Sequence, residues 1–214
     1  MKNLLLLASL ILLSGCAGSL PVLVARSEQN VVRVALVRRD AIGTIFPKRY
    51  IGGGVVVSPK GAILTCAHVV ETNQNMGVQF FDKEFKVYRV VAVDVPNDLA
   101  LMMPHEPVGW VPYTLLAMGV RKGESVYHIG HPFRMNWLVS AGVVSLVEEE
   151  VVVTDTVANP GSSGGALFNA GGYLIGIVHA GRGMVLPTYQ GHTEATRPDV
   201  LWKFLKDNEA LAYQ

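Results

Sequence analysis

From Asn30 onward, short apolar and β-branched runs alternate with turn residues. Val31–Val37 is the first such run. Gly52-Gly53-Gly54 leads into Val55-Val56-Val57, and Ser58-Pro59-Lys60-Gly61 marks a turn into Ala62–Cys66. Val78–Phe81, Lys86–Val93 and Leu99–Met103 follow. Pro107, Gly109 and Pro112 punctuate a connector over 106–120. A second set of runs begins near Glu124: Ser125–Ile129, Leu138–Leu146, Val151–Thr154, Ala166–Phe168, Tyr173–His179 and Met184–Tyr189. Many short strands with turns between them and few helical periods predict antiparallel barrels or a sandwich. The end of the chain differs. Val200, Leu201, Phe204 and Leu205 recur at helical spacing after Pro198, a residue suited to a first turn. One helix is expected over 198–211.

Composition narrows this picture. With 214 residues, 50% of them hydrophobic and 16% charged, the chain can build a sizeable core in one larger domain or two small packed halves. A formal net charge of +1 carries no basic excess of the kind that binds nucleic acid.

The first residues have a different pattern. Lys2 precedes an apolar run of ten residues, Leu4–Leu13, too short to span a bilayer as a mature helix. Leu13-Ser14-Gly15-Cys16 resembles the lipobox of bacterial lipoproteins. The resemblance implies a signal peptide over 1–15, lipidation of Cys16, a linker over 16–29 and a membrane-anchored protein. Ala17 at the next position favours the outer membrane, facing the periplasm. The alternative is an ordinary export signal cut near Ala17 or Gly18. With Cys16 lipidated, only Cys66 remains, so no intrachain disulfide is available. Leu64, Thr65 and Ala67 around Cys66 favour a small buried filler over a nucleophile.

The candidate chemistry lies in three stretches. Asn159-Pro160-Gly161-Ser162-Ser163-Gly164-Gly165-Ala166-Leu167 puts a serine among glycines, between apolar strands. Such a turn can expose a hydroxyl and aim backbone N–H groups at one point, as acyl transfer requires, although glycine loops between strands are common. Thr65-Cys66-Ala67-His68-Val69-Val70 places a histidine just past an apolar strand, and Asn97-Asp98-Leu99-Ala100-Leu101-Met102 places an acid at the head of another. Alone, the histidine reads equally as a satisfied core or surface residue, and the acid as an ordinary strand-start aspartate.

In combination the stretches resemble the trypsin-like (chymotrypsin-fold) serine endopeptidases, and among them the bacterial Deg/HtrA type. Gly52–Val57, Ser58–Thr65 and Ala67–Val70 look like that family's histidine block, Asn97–Leu101 its aspartate block and Asn159–Leu167 its serine block, in the family's order. His128–Phe133 and Ser140–Ser145 look like its second-barrel entry strands. The resemblance implies an all-β fold of two packed six-stranded antiparallel barrels with a C-terminal helix. It places a protease domain over 30–212, with barrel one over 30–105 and barrel two over 121–195. It implies Ser163 as nucleophile, His68 as general base and Asp98 as the group that orients it, with the backbone N–H groups of Gly161 and Ser163 as oxyanion hole. Protein or peptide substrates follow, with no cofactor.

Departures from the family pattern limit this. Ser162 stands where Asp or Asn is usual, Ala166 where Pro is common, and no segment past 211 could form a PDZ domain. A pseudoprotease that holds protein partners in the same cleft is the competing class. It is disfavoured by the presence of His68, Asp98 and Ser163 together. The resemblance further implies an S1 pocket with Val157 and Ala158 at its base and a wall from Val178, Ala180 and Gly181. No acid stands at the base, which implies cleavage after small or medium apolar residues. His179 follows Val178 by one residue, so strand alternation turns it to the other face. His105, His128, His131, His179 and His192 show no His-x-x-x-His or Cys-x-x-Cys spacing, and no metal site is expected.

Overall fold

The computed structural model describes residues 18–109, 111–179 and 192–208. Cys16, Ala180, Gly181 and the run Met184–Tyr189 lie outside them.

Barrel one consists of β1 (Val31–Arg39), β2 (Ile45–Val56), β3 (Ile63–Thr65), β4 (Asn75–Gln79), β5 (Phe85–Asp94) and β6 (Leu99–Pro104), closed in the order β1-β2-β3-β6-β5-β4. Barrel two consists of β7 (Ser125–Gly130), β8 (Leu138–Val147), β9 (Val151–Thr154), β10 (Ala166–Asn169), β11 (Leu174–Val178) and β12 (Thr193–Thr196), closed in the order β10-β11-β12-β9-β8-β7. Every pairing between these strands is antiparallel, and closure leaves neither sheet a free edge. This is the expected architecture of two six-stranded antiparallel barrels.

One buried cluster spans both barrels, and a second fills the interior of barrel two. Val32, Leu64 and Leu101 of barrel one and Tyr127, Ile129 and Phe168 of barrel two belong to a single buried cluster. Hydrogen bonds cross the same seam. The Trp137 indole N–H donates to Val31 O at 2.9 Å, and His131 Nε2 donates to Val32 O at 3.1 Å. His131 Nδ1 accepts the Trp137 backbone N–H at 3.1 Å, so this imidazole is the neutral Nε2–H tautomer.

Two elements depart from expectation. β2 starts at Ile45, well before the Val55 run. Pro47 fits in it because it sits opposite Val37 at a register shift, where the missing N–H costs little. The segment 16–29, expected as a linker, contains helix α1 (Leu20–Ser27), with Pro21 in its first turn. Leu23 and Val24 pack on the shared core, and the Ser27 hydroxyl bonds the Tyr127 hydroxyl at 2.8 Å. A one-turn helix, α2 (Ala67–Val70), follows β3. The C-terminal helix α3 spans Pro198–Asp207, buries Leu201 and Phe204, and donates a bond from Trp202 Nε1 to Ala117 O at 3.1 Å.

Candidate active site

Barrel one brings His68 and Asp98 together. Asp98 precedes β6 in the left-handed region, at φ 53°, a conformation that Asp tolerates better than bulkier residues. There it makes three bonds to the start of α2. Its backbone O accepts from Ala67 N at 3.1 Å, Oδ1 from His68 N at 2.9 Å and Oδ2 from His68 Nδ1 at 2.7 Å. With Nδ1–H spent on the carboxylate, Nε2 of neutral His68 is left as a base. The His68 side chain is 50% exposed and that of Asp98 only 9%. Burial opposes ionisation of Asp98, but the side-chain and backbone bonds from His68 outweigh it and hold the carboxyl below its ordinary value.

Barrel two supplies Ser163 from the turn before β10. Gly161 (φ 100°) and Gly164 (φ 79°) adopt backbone conformations that side chains disfavour. Close approach requires glycine here as well. A Cβ on Gly164 would overlap Gly53 O and approach Thr65 Oγ1, and one on Gly161 would lie 2.8 Å from His131 O. The amides of Ser162, Gly164 and Gly165 are spent on Asn159 O, Val178 O and Ser162 O at 2.8, 2.9 and 2.8 Å. Gly161 N has no such bond among the described residues.

One backbone bond pins this turn to β2 of barrel one, a side-chain bond within barrel one supports the same point, and another ties β11 to Cys66. Ser163 O accepts from Gly53 N at 2.8 Å. Thr65 Oγ1 donates to Gly53 O at 2.7 Å, and Cys66 Sγ to Val178 O at 3.3 Å. Cys66 is fully buried, the filler expected of it.

The residues expected to form S1 are divided. Val157 is 49% exposed, and its N–H donates to Ser140 Oγ at 2.8 Å. Val178 is fully buried in the core of barrel two, on which Ala158 also packs. The Asp155 carboxylate is turned away to β8, where it accepts from Val143 N at 2.6 Å. His179 lies on the face opposite Val178, with Nδ1 3.7 Å from Asp98 Oδ2 and Nε2 hydrogen-bonded to Thr196 Oγ1.

That contact is the feature sequence reasoning missed. Alternation showed where His179 does not point. Its neighbour Asp98 belongs to the other barrel, and no local pattern could name it. Cys66 Sγ, an Asp98 oxygen and His179 Nδ1 lie within 4.8 Å of one another, a donor set suited in kind to a soft divalent cation. Each of these residues is already bonded within the protein: Cys66 to Val178, Asp98 to His68 and His179 to Thr196.

Comparison with known proteins agrees with this geometry. Residues 52–177 match the family model described as a trypsin-like peptidase domain. The chain belongs to this family. The trypsin-like domain is 34% identical to "Serine protease HTRA1" of Xenopus tropicalis over 155 residues, which are 64% of this chain and 34% of the relative. It is 32% identical to the "Probable periplasmic serine endoprotease DegP-like" of a Marinomonas strain over 139 residues, 59% of this chain and 29% of the relative. It therefore spans about a third of the length of these relatives. Among solved structures, "HtrA-type protease AlgW with decapeptide" superposes with a TM-score of 0.73 at 24% identity, covering 86% of this chain and 66% of that one. This likeness concerns the fold.

Proposed function

We propose that the chain is a serine endopeptidase that hydrolyses peptide bonds of cell-envelope proteins through an acyl-enzyme. Ser163 is the nucleophile and His68 the general base, then the acid that protonates the leaving amine. Asp98 holds the imidazole in its Nδ1–H tautomer and stabilises the imidazolium. Gly161 N and Ser163 N supply the oxyanion hole, in which one donor is worth on the order of a hundred- to a thousand-fold in rate. The observation that carries this reading is the pinning of the serine turn. Gly53 N–H holds Ser163 O at 2.8 Å, and Gly53 O accepts from the hydroxyl of Thr65, three residues before a His68 whose Nδ1 is already committed to Asp98.

The substrate side supports cleavage after small or medium apolar residues. Asp155 is spent on Val143 N and His179 on Thr196 and Asp98, so the expected S1 residues Val157, Ala158, Val178, Ala180 and Gly181 present no charge. The lipobox resemblance at Cys16 and the likeness to a periplasmic endoprotease favour an envelope location, with a lipid anchor in the outer membrane facing the periplasm.

Labelling with a serine-reactive phosphonate tests the assignment. Wild type should take up the label, and Ser163→Ala, which removes a single oxygen, should take up none and hydrolyse no peptide while keeping its thermal transition. Equal labelling of both proteins moves the nucleophile elsewhere. Absence of labelling in folded wild type leaves a partner-binding pseudoprotease.

A further inference from the structure

One cleft beside the serine turn has no role so far. It has a volume of about 310 Å³ and runs from Pro160 and Gly161 across to β1 and β2 of barrel one. Arg33, Arg49 and Arg134 line it, and no carboxylate does. Among the described residues, none of these guanidinium groups is within ion-pair distance of an acid. Unneutralised arginines sharing one concave site repel each other, and the cost is recovered when an anion enters.

The cleft is also built. Arg33 is half-buried, its guanidinium stacked 3.5 Å from the Tyr50 ring centre, and its Nη1 donates to Gln79 Oε1 at 2.9 Å. Its Nε is buried and donates to nothing. Phe133 (φ 50°) and Arg134 (φ 68°) both hold left-handed conformations, which cost energy in residues other than glycine. The bond from Phe133 N to Pro160 O at 3.0 Å ties their turn to the loop that carries Ser163. His131 forms part of the wall and adds no charge near neutral pH, because burial first, then the neighbouring Arg33, pushes it down to about 3.

Its position gives the cleft a direction. A bound peptide sends its acyl half toward the expected S1 residues, Val157 and Val178, and neither of these lines the cleft. The lining starts at Gly161 and continues onto Arg49, Tyr50 and Ile51, and because it includes none of the expected S1 residues, we place it on the side of the leaving amine. Arginine binds carboxylates through paired N–H donors, and an extended substrate advances ~3.4 Å per residue, so the cleft spans the first few residues after the cut.

Resting on the endopeptidase reading, we propose that this cleft is a leaving-side subsite for a carboxylate side chain, which directs cleavage to bonds followed within about three residues by Asp or Glu. The test is digestion of a denatured protein mixture, with every cut site read by mass spectrometry. Wild type should enrich Asp and Glu several-fold in the three positions after the cut, and the enrichment should shrink as salt is raised. The double variant Arg49→Glu, Arg134→Glu should lose it and enrich Lys and Arg instead. If that variant fails to take up the phosphonate label, the single exposed change Arg49→Gln decides, with a reduced acidic enrichment expected. Cuts by wild type without acidic enrichment, or enrichment unchanged in the variants, overturn the subsite and leave the endopeptidase reading intact. Cuts clustered within three residues of chain ends would assign the cleft to a terminal carboxylate and overturn the side-chain form. No cuts at all by wild type overturn the endopeptidase reading, and the subsite falls with it.

Discussion

The two barrels have the same strand number and closure but hold their candidate site residues in different ways. In barrel one, His68 lies in α2 and Asp98 immediately precedes β6, and three bonds join the segments directly. The adjoining residues Thr65, Cys66, Leu99 and Ala100 are all fully buried. In barrel two, Ser163 sits in a turn whose shape depends on Gly161 and Gly164 at positive φ and on contacts with the opposite barrel. Barrel one positions its groups by packing and barrel two positions Ser163 by backbone conformation. A charge relationship is therefore the vulnerable point of the first, and a single added methyl group the vulnerable point of the second.

The largest effect is expected on the barrel-one side. Asp98→Asn keeps the shape but offers His68 Nδ1 an amide in place of a carboxylate, which favours the wrong tautomer. Peptide hydrolysis at pH 7 should fall about 10⁴-fold, ~5.5 kcal/mol in transition-state stabilisation, with the thermal transition little changed. Steady-state kinetics alongside calorimetry checks this, and a loss under tenfold would remove Asp98 from the site.

The next largest change tests barrel two. Gly164→Ala places a Cβ against Gly53 O and Thr65 Oγ1, in a backbone region that alanine avoids. The serine turn must shift, and a displacement of ~1 Å at a reacting group costs about 10²-fold. kcat should drop by that amount while His68 and Asp98 stay in place. Because His68 chemistry is untouched, the pH profile of the residual activity should keep its wild-type shape. A profile that moves would mean that the barrels are not independent in this way.

The remaining effect is on acid stability and leaves catalysis aside, and it separates the barrels by pH. Burial pushes His128 down to about 4 and His131 to about 3, both in barrel two. Below the ordinary histidine value of 6.5 the unfolded chain takes up protons that the folded chain refuses, so stability falls as pH drops from 6.5 toward those values. The slope is about 1.4 kcal/mol per pH unit for each histidine. Asp98 acts in the same direction but in a lower pH window. Its contribution is complete above the ordinary carboxyl value of 3.8 and is lost only as pH falls through its lower folded value. Urea midpoints measured between pH 7 and pH 4.5 should therefore fall first through the histidines, and His131→Gln should flatten the dependence. A slope unchanged by that variant would refute the assignment.

Much of this was legible in the sequence, for identifiable reasons. Val31, Leu99 and Val151 open apolar runs whose strand period is strong, and those strands begin where expected. The three motif blocks sit where regular strands meet turns, so their local pattern carried the site. The early part of β2 was hidden because Pro47 and the charged Lys48 and Arg49 weaken its strand signal, and three glycines separate it from Val55. Contact with the serine turn is what demands Gly52, where a Cβ would lie 2.7 Å from Ser163 O. β12 reads Thr-Glu-Ala-Thr and lacks apolar alternation, so its identity as a strand comes from its pairing with β9 and β11. The Arg33–Arg49–Arg134 cleft draws on both barrels, and such a juxtaposition leaves no trace in local spacing.

Helix α1 has a consequence for how the molecule is made. It precedes barrel one in the chain but lies against barrel two, with Ser27 bonded to Tyr127 a hundred residues later. A chain emerging N-terminus first would therefore present α1 well before its seat exists. Barrel one could close during that interval, whereas α1 has to wait for β7 and the turn at Gly172, near Leu23. Helix α1 would thus dock only after barrel two has formed, although it precedes barrel one in the chain.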